Sequence, residues 1–279
     1  GDAAFDVSAT GGGSGNPVTF SVTAGNGTVC SSGGANGATI TILAVGACTI
    51  RANQAGTETY GAADPVSQVL TVDPAPTVTV VTFEPGRYTY RGTPFTATAQ
   101  VTGVLGFSHV VPVVVTGDCT NVTTAAGCTA TATFAASGNH AGSGDSKSIT
   151  ILKQAVTPTI AANDKPYDGT PTATLKAVDG CTVAPKVGGD NVACTGSASF
   201  GSRNAGAGTV TSSDLTLTGS TAGNYELTTT TATTTAEIFR LAVTVTAVAN
   251  TKVFDNTVSA AAVPSVSPAL GPGDQGHLS

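Results

Sequence analysis

Apolar and polar residues alternate with a period of two in short runs along this chain. Leu241, Val243 and Val245 alternate with Ala242, Thr244 and Thr246, and Thr96-Ala97-Thr98-Ala99-Gln100-Val101 and Ser148-Ile149-Thr150-Ile151 behave alike. Successive side chains of a β-strand point to opposite faces, so each run buries one face and offers threonine to water on the other. Turn clusters separate the runs: Ala24-Gly25-Asn26-Gly27, Ser31-Ser32-Gly33-Gly34 and Gly142-Ser143-Gly144-Asp145. No segment carries helical periodicity. Many short strands between frequent turns predict an all-β protein made of sandwich or barrel units.

The pattern also repeats. Tyr90-Arg91-Gly92-Thr93-Pro94 returns as Tyr167-Asp168-Gly169-Thr170-Pro171, 77 residues on. Asn163, Lys165, Tyr167, Asp168 and Thr170 return as Asn250, Lys252, Phe254, Asp255 and Thr257, 87 residues on. Cys48-Thr49-Ile50-Arg51-Ala52 returns as Cys128-Thr129-Ala130-Thr131-Ala132, 80 residues on. The chain therefore divides into units 1–74, 75–154 and 155–242, and 243–279 opens a fourth. The joins, Val72-Asp73-Pro74-Ala75-Pro76 and Lys153-Gln154-Ala155-Val156-Thr157-Pro158, are short. Proline there favours a stiff connection, and hence a linear array.

Composition narrows the picture. Only 10% of the 279 residues are charged, against about 25% in ordinary domains, so threonine (49 residues), serine, asparagine and glycine must cover the surface. A net charge of −6 with 11 basic residues excludes a nucleic-acid phosphate surface. No apolar run reaches the roughly 18 residues of a membrane span. Plentiful valine, isoleucine and threonine argue against disorder. With no methionine and no signal peptide, the chain reads as a processed product or a piece of a longer one.

Six cysteines fall into three local pairs: Cys30–Cys48, Cys119–Cys128 and Cys181–Cys194. None lies in a C-x-x-C, and His109, His140 and His277 are too scattered to complete a zinc site. Local disulfides formed in an oxidising compartment are the simple reading, and buried free thiols the alternative.

Residues 165–170 (Lys-Pro-Tyr-Asp-Gly-Thr), Phe200-Gly201, Leu215-Thr216-Leu217-Thr218-Gly219 and Ala222-Gly223-Asn224-Tyr225 give the third unit a recognisable shape. It resembles the YDG-type repeat of large bacterial surface proteins. Gly46-Ala47-Cys48-Thr49-Ile50, Gln54-Ala55-Gly56 and Tyr60 make the first two units similar to bacterial Ig-like repeats of the same secreted proteins. These resemblances imply tandem Ig-like β-sandwiches in an extracellular, adhesin-like array without catalytic residues. The fourth unit departs from the pattern, with Phe254 and Asn256 replacing tyrosine and glycine.

The two ends are complementary. Aligning Phe5 with Phe95 and Ala9 with Ala99 leaves the first unit without a counterpart of the strand-like run 78–83. The tail offers a first strand carrying Leu241, Val243, Val245 and Ala247, and a second over 258–263, with no domain to finish. An unpaired sheet edge is a template for strand addition. Head-to-tail donation would be heterologous and would propagate as an open filament. The alternative is that the chain is one stretch of a longer array, partnered by neighbouring repeats.

Catalytic chemistry is not legible. Gly12-Gly13-Ser14-Gly15-Asn16 lacks the last glycine of a nucleophile elbow, and Ser143 near His140 reads as a hairpin tip. Asp164, Asp168 and Asp255 are weak calcium candidates, set against Asx turns in the same corners. Lys165 and Lys252 are remote candidates for isopeptide bonds. Tyr88, Tyr90 and Arg91 suggest either a sugar-stacking patch or core packing, with core packing favoured. Asn26 and Asn121 head glycosylation sequons. The threonine run 229–235 fits an exposed strand. The expectation is a secreted, non-enzymatic structural subunit without cofactor, transmembrane segment or nucleic-acid partner. The competing expectation is an adhesin module that binds a glycan or host protein through loops at one sandwich end.

Overall fold

In the computed structural model, residues 3–258, 262–269, 271 and 274 are described. The fold is all-β; its described helical turns are three-residue 3-10 segments at Ala35–Gly37, Val104–Gly106 and Ala222–Asn224. No described helix is long and apolar enough to cross a membrane. Two compact units form: residues up to 87 with 94–119 and 123–150, and residues 88–93 and 120–122 with 151 onward.

The first unit holds two modules. Module one comprises β1 (Phe5–Asp6), β2 (Val18–Ala24), β3 (Cys30–Gly33), β4 (Thr39–Ile42), β5 (Gly46–Gln54) and β6 (Val66–Val72). They form the sheets β1-β4-β3 and β2-β5-β6. Val22, Cys30, Ile40 and Cys48 make the buried core between them, with Val7, Val29, Ile42, Ile50 and Leu70 packed against it. Module two comprises β7 (Thr77–Phe83), β8 (Ala97–Gly103), β9 (Ser108–Val111), β10 (Val114–Gly117), β11 (Cys128–Phe134) and β12 (Ser143–Ile149). Its sheets are β7-β8-β9 and β10-β11-β12. Along β7, Thr79, Val81 and Phe83 are buried while Val78, Val80 and Thr82 are exposed, the period-two pattern in its clearest form.

The second unit contains β13 (Gln154–Ile160), β14 (Lys165–Pro166), β15 (Thr172–Ala173), β16 (Cys181–Ala184), β17 (Ala193–Thr195) and β18 (Ala198–Phe200). It continues with β19 (Gly206–Ser212), β20 (Thr216–Thr218), β21 (Tyr225–Leu227) and β22 (Ala232–Phe239). The sheets are β16-β13-β21, β14-β22-β19-β18-β15 and β17-β20. Phe200, Val210, Ala236 and Ile238 form a buried cluster on the five-stranded sheet. The tail adds β23 (Thr244–Thr246), antiparallel to β24 (Ser265–Ser267).

Three local expectations change. Ser31-Ser32-Gly33 and Ser143-Gly144-Asp145, turn-like by composition, lie in β3 and β12. Ladder pairing with β4 and β11 outweighs their weak intrinsic preference. The tail's second strand is observed at Ser265–Ser267, later than 258–263, of which 259–261 lie outside the described residues. The segment 88–93 leaves the module it follows in sequence and packs with the second unit.

Exposed strand faces carry hydroxyl pairs instead of ion pairs. Thr129 meets Ser148 at 2.8 Å, Thr131 meets Ser146 at 3.2 Å and Thr159 meets Thr182 at 2.7 Å. Such cross-strand pairs contribute about 0.2–1 kcal/mol each.

Gly117 ends β10 at φ 80°, and a Cβ there would lie 2.1 Å from the Gly127 carbonyl oxygen. Left-handed strain and a backbone clash coincide, so Gly117→Ala is expected to lower unfolding free energy by more than about 1 kcal/mol in denaturant titration. Gly138→Ala, also left-handed but facing open space, should lose less.

Candidate functional site

The cysteine cross-links sit at the joints of the modules. Cys30 in β3 bonds Cys48 in β5, joining the two sheets of module one. Cys119 bonds Cys128 at the start of β11, closing the loop after β10. Cys181 in β16 bonds Cys194 in β17, again joining two sheets. Closing a loop of 18 residues contributes about 3 kcal/mol in the chain-entropy account.

Module one has an apolar cleft of about 450 Å³. One wall is the segment 7–12. The other is the inner face of β2-β5-β6, with Val18, Phe20, Ile50, Ala52, Val66 and Gln68. Module two shows what belongs in such a place. The ladders pair Ala52 with Val66 in module one and Ala132 with Asp145 in module two, so β6 and β12 are equivalent. Beside β12 lies β7. Val81 N–H donates to the Asp145 carboxylate at 2.7 Å, and Thr77 Oγ1 and Thr79 Oγ1 contact Ser143 Oγ at 2.8 and 2.7 Å. No described strand takes that place in module one.

The neighbouring segment differs between the modules as well. In module two β8 pairs with β7 along its whole length. By the alignment of Ala9 with Ala99, the counterpart of β8 is 7–13, and it forms no strand. What remains is β1, which pairs with β4 of an inserted hairpin. The Gln54 side chain holds this stretch, accepting from Gly12 N–H at 2.7 Å and donating to the Asn16 carbonyl at 2.7 Å.

The tail repeats the opening of the third unit in structure as well as in sequence. Lys165 Nζ lies 2.7 Å from Asp168 Oδ1, which also accepts from Thr170 N–H and Oγ1, each at 2.9 Å. Lys252, Asp255 and Thr257 build the same loop at 2.8, 3.0 and 2.9 Å. Asn256 takes φ 58° where Gly169 takes 74°; asparagine is among the few residues that tolerate this region. Hydrogen bonds from Lys165 and then Thr170 hold the Asp168 carboxyl down at about 2, and Lys252 and Thr257 lower that of Asp255. Asp164 accepts from Glu237 N–H at 2.7 Å. The three aspartates thus serve as loop and strand anchors, and no group of three metal-ligating side chains occurs among the described residues.

Residues 151–234 match the YDG domain. The match covers the third unit and does not extend to the first two modules. No curated protein matches the chain.

The YDG domain buries a polar clasp. Asp190 accepts from Tyr225 Oη, and from Tyr90 Oη at 2.9 Å. Val187 N–H donates to Tyr225 Oη at 3.0 Å, and the two rings meet edge to face at 5.4 Å. Tyr90 and Tyr225 are 5% and 1% exposed, which leaves Tyr90 no face for a sugar. Asn121 and Asn224 also belong to this unit, bonded side chain to side chain at 2.9 Å. Asp190 carries no repeat signature, so sequence reading passes over it.

Of the donor-strand candidates, Leu241, Val243 and Ala247 flank β23 and Val245 lies within it. Val243 and Val245 are 46% and 57% exposed, and Leu241 and Ala247 are exposed too. Leu241 and Val243 line a shallow cavity of about 350 Å³ beside Tyr167, whose hydroxyl donates to Asp274 at 2.8 Å. His140 stacks on Phe107 at 3.8 Å, and Ser143 is engaged by Thr77 and Thr79.

Burial, then the bond to Asp190, pushes the Tyr225 hydroxyl up to about 12 from its ordinary 10.0. Below pH 10 folded and unfolded chains both hold this proton. Between 10 and about 12 only the folded chain holds it, so stability falls as pH climbs through that window. The melting temperature, followed by circular dichroism, should drop across that range, and the drop should shrink in Tyr225→Phe.

Proposed function

We propose that this chain is a non-enzymatic structural segment of an extracellular filament or surface adhesin. Its modules are tandem Ig-like β-sandwiches in a linear array, and chains associate head to tail through strands donated by the tail. The observation that carries the reading is the succession of all-β modules along the chain, each stapled by its own disulfide, with the loop of Lys165, Asp168 and Thr170 built again by Lys252, Asp255 and Thr257. Module one holds an uncovered apolar cleft at the place where module two holds β7. The tail exposes valines at positions that the other repeats bury.

Other features agree. Three disulfides suit an oxidising exterior, where small cores need staples. The hydroxyl-rich, charge-poor surface suits a rod more than an electrostatic binding face. The match of residues 151–234 to the YDG domain agrees with the YDG-type resemblance of the third unit, on which the repeat reading draws.

Sedimentation velocity over a rising concentration series tests the proposal. Species larger than one chain should grow with concentration, and negative-stain images should show rods. A chain that stays monomeric throughout and binds an immobilised glycan saturably would replace this reading with that of an adhesive module.

A further inference from the structure

We propose that the tyrosine of the Tyr-x-Gly-Thr-Pro loop couples successive repeats: its hydroxyl reaches into the following repeat and donates to the aspartate of a Gly-Asp loop there. The partner it fits is any following repeat that carries this loop. The inference rests on the tandem-repeat reading alone and is independent of whether chains associate.

The two donor loops stand in equivalent places. An offset of 77 residues carries Thr89 and Tyr90 onto Pro166 and Tyr167, and an offset of 87 carries Leu152 onto Phe239. The backbone keeps the same equivalence. Thr89 bridges Leu152 in parallel, as Pro166 pairs with Phe239 of β22. Tyr90 N–H donates to the Leu152 carbonyl at 2.9 Å, and Tyr167 N–H to the Phe239 carbonyl at 2.9 Å. Gly92 and Gly169 both take φ 74°. Leu152 and Phe239 each lie just ahead of the next repeat's first strand, β13 and β23.

The acceptors correspond too. Ala184 pairs with Thr157 of β13, and Ser267 with Thr244 of β23, which is Thr157 advanced by 87 residues. Past these partners run Pro185-Lys186-Val187-Gly188-Gly189-Asp190 and Pro268-Ala269-Leu270-Gly271-Pro272-Gly273-Asp274. Each aspartate amide donates back three residues, Asp190 N–H to the Val187 carbonyl at 3.2 Å and Asp274 N–H to the Gly271 carbonyl at 3.1 Å. Tyr90 Oη donates to Asp190 at 2.9 Å, and Tyr167 Oη to Asp274 at 2.8 Å.

The third repeat shows the direction. It contains both Tyr167 and Asp190, yet these two are paired outward: Tyr167 forward with Asp274, and Asp190 backward with Tyr90. Tyrosine suits the task, since its ring fills apolar space while its hydroxyl finds a charged acceptor. The two seats differ in depth. Tyr90 is 5% exposed, and a Cβ on Gly92 would meet Val187 Cγ1 at 2.7 Å, whereas Tyr167 is half-buried.

Hydrogen exchange of the full chain, read by mass spectrometry, tests this. Tyr167→Phe removes only a hydroxyl from a half-buried ring, so the fold should persist. Exchange over 244–246 and 265–267 should rise about threefold to tenfold, while 154–160 keeps its protection. Asp274→Ala should do the same, and the double variant should exceed neither single one. Tyr90→Phe should instead raise exchange over 88–93 and 187–190 and leave the tail unchanged. The inference is overturned if Tyr167→Phe leaves the tail at its parent rate, if the two tail substitutions add, or if Tyr90→Phe loosens the tail as much as Tyr167→Phe does. A chain that stays monomeric in sedimentation removes the filament reading and leaves this coupling standing.

Discussion

In module two the amide of Val81 donates to the Asp145 carboxylate, and the hydroxyls of Thr77 and Thr79 meet Ser143. These contacts fasten the first strand of the module to its last, across the seam between two three-stranded sheets. A small β-module has no redundancy at such a seam. Remove the strand and one sheet loses a neighbour, the other loses its cover, and the strand that should pair with it loses its ladder. Among the described residues no strand takes that place in module one, where the cleft, exposed Val66 and the strandless segment 7–13 lie together.

The same economy explains the rest of the stabilising chemistry. Modules of this size bury few large side chains, so covalent links between facing sheets carry weight that a larger core would supply. Two of the three disulfides join sheet to sheet. On the outside, hydroxyl pairs across strands replace the ion pairs that a charge-rich surface would use. Hydroxyls suit this position because threonine is also among the best residues for an extended, half-buried backbone.

Lys165, Asp168 and Thr170 show a loop built to be copied. The lysine and the threonine saturate one carboxylate oxygen, and the turn is closed by a left-handed residue. Lys252, Asp255 and Thr257 reproduce it even though asparagine stands where glycine stood. The recurrence of a whole hydrogen-bond set, and not only of letters, ties 243–257 to the start of a repeat and fixes which tail residues correspond to a buried strand. Tyr90 and Tyr167 share a sequence motif and an aspartate acceptor but differ in burial: Tyr90 is sunk against Tyr225 and Asp190, while half-buried Tyr167 reaches Asp274.

Period-two alternation, turn chemistry, repeat offsets and cysteine spacing are local or nearly local properties, so the all-β class, the three disulfide pairs and the YDG-type character of the third unit could be read from residues alone. Pairing across long separations could not. That β3 and β4 form an inserted hairpin beside β1, that Ser143 belongs to a strand, and that Asp190 gathers two tyrosines depend on which distant segments compete for the same edge or pocket. Each sheet edge and each apolar face has several partners of similar local preference, and only the packed chain, by satisfying backbone hydrogen bonds and burying carbon together, selects one.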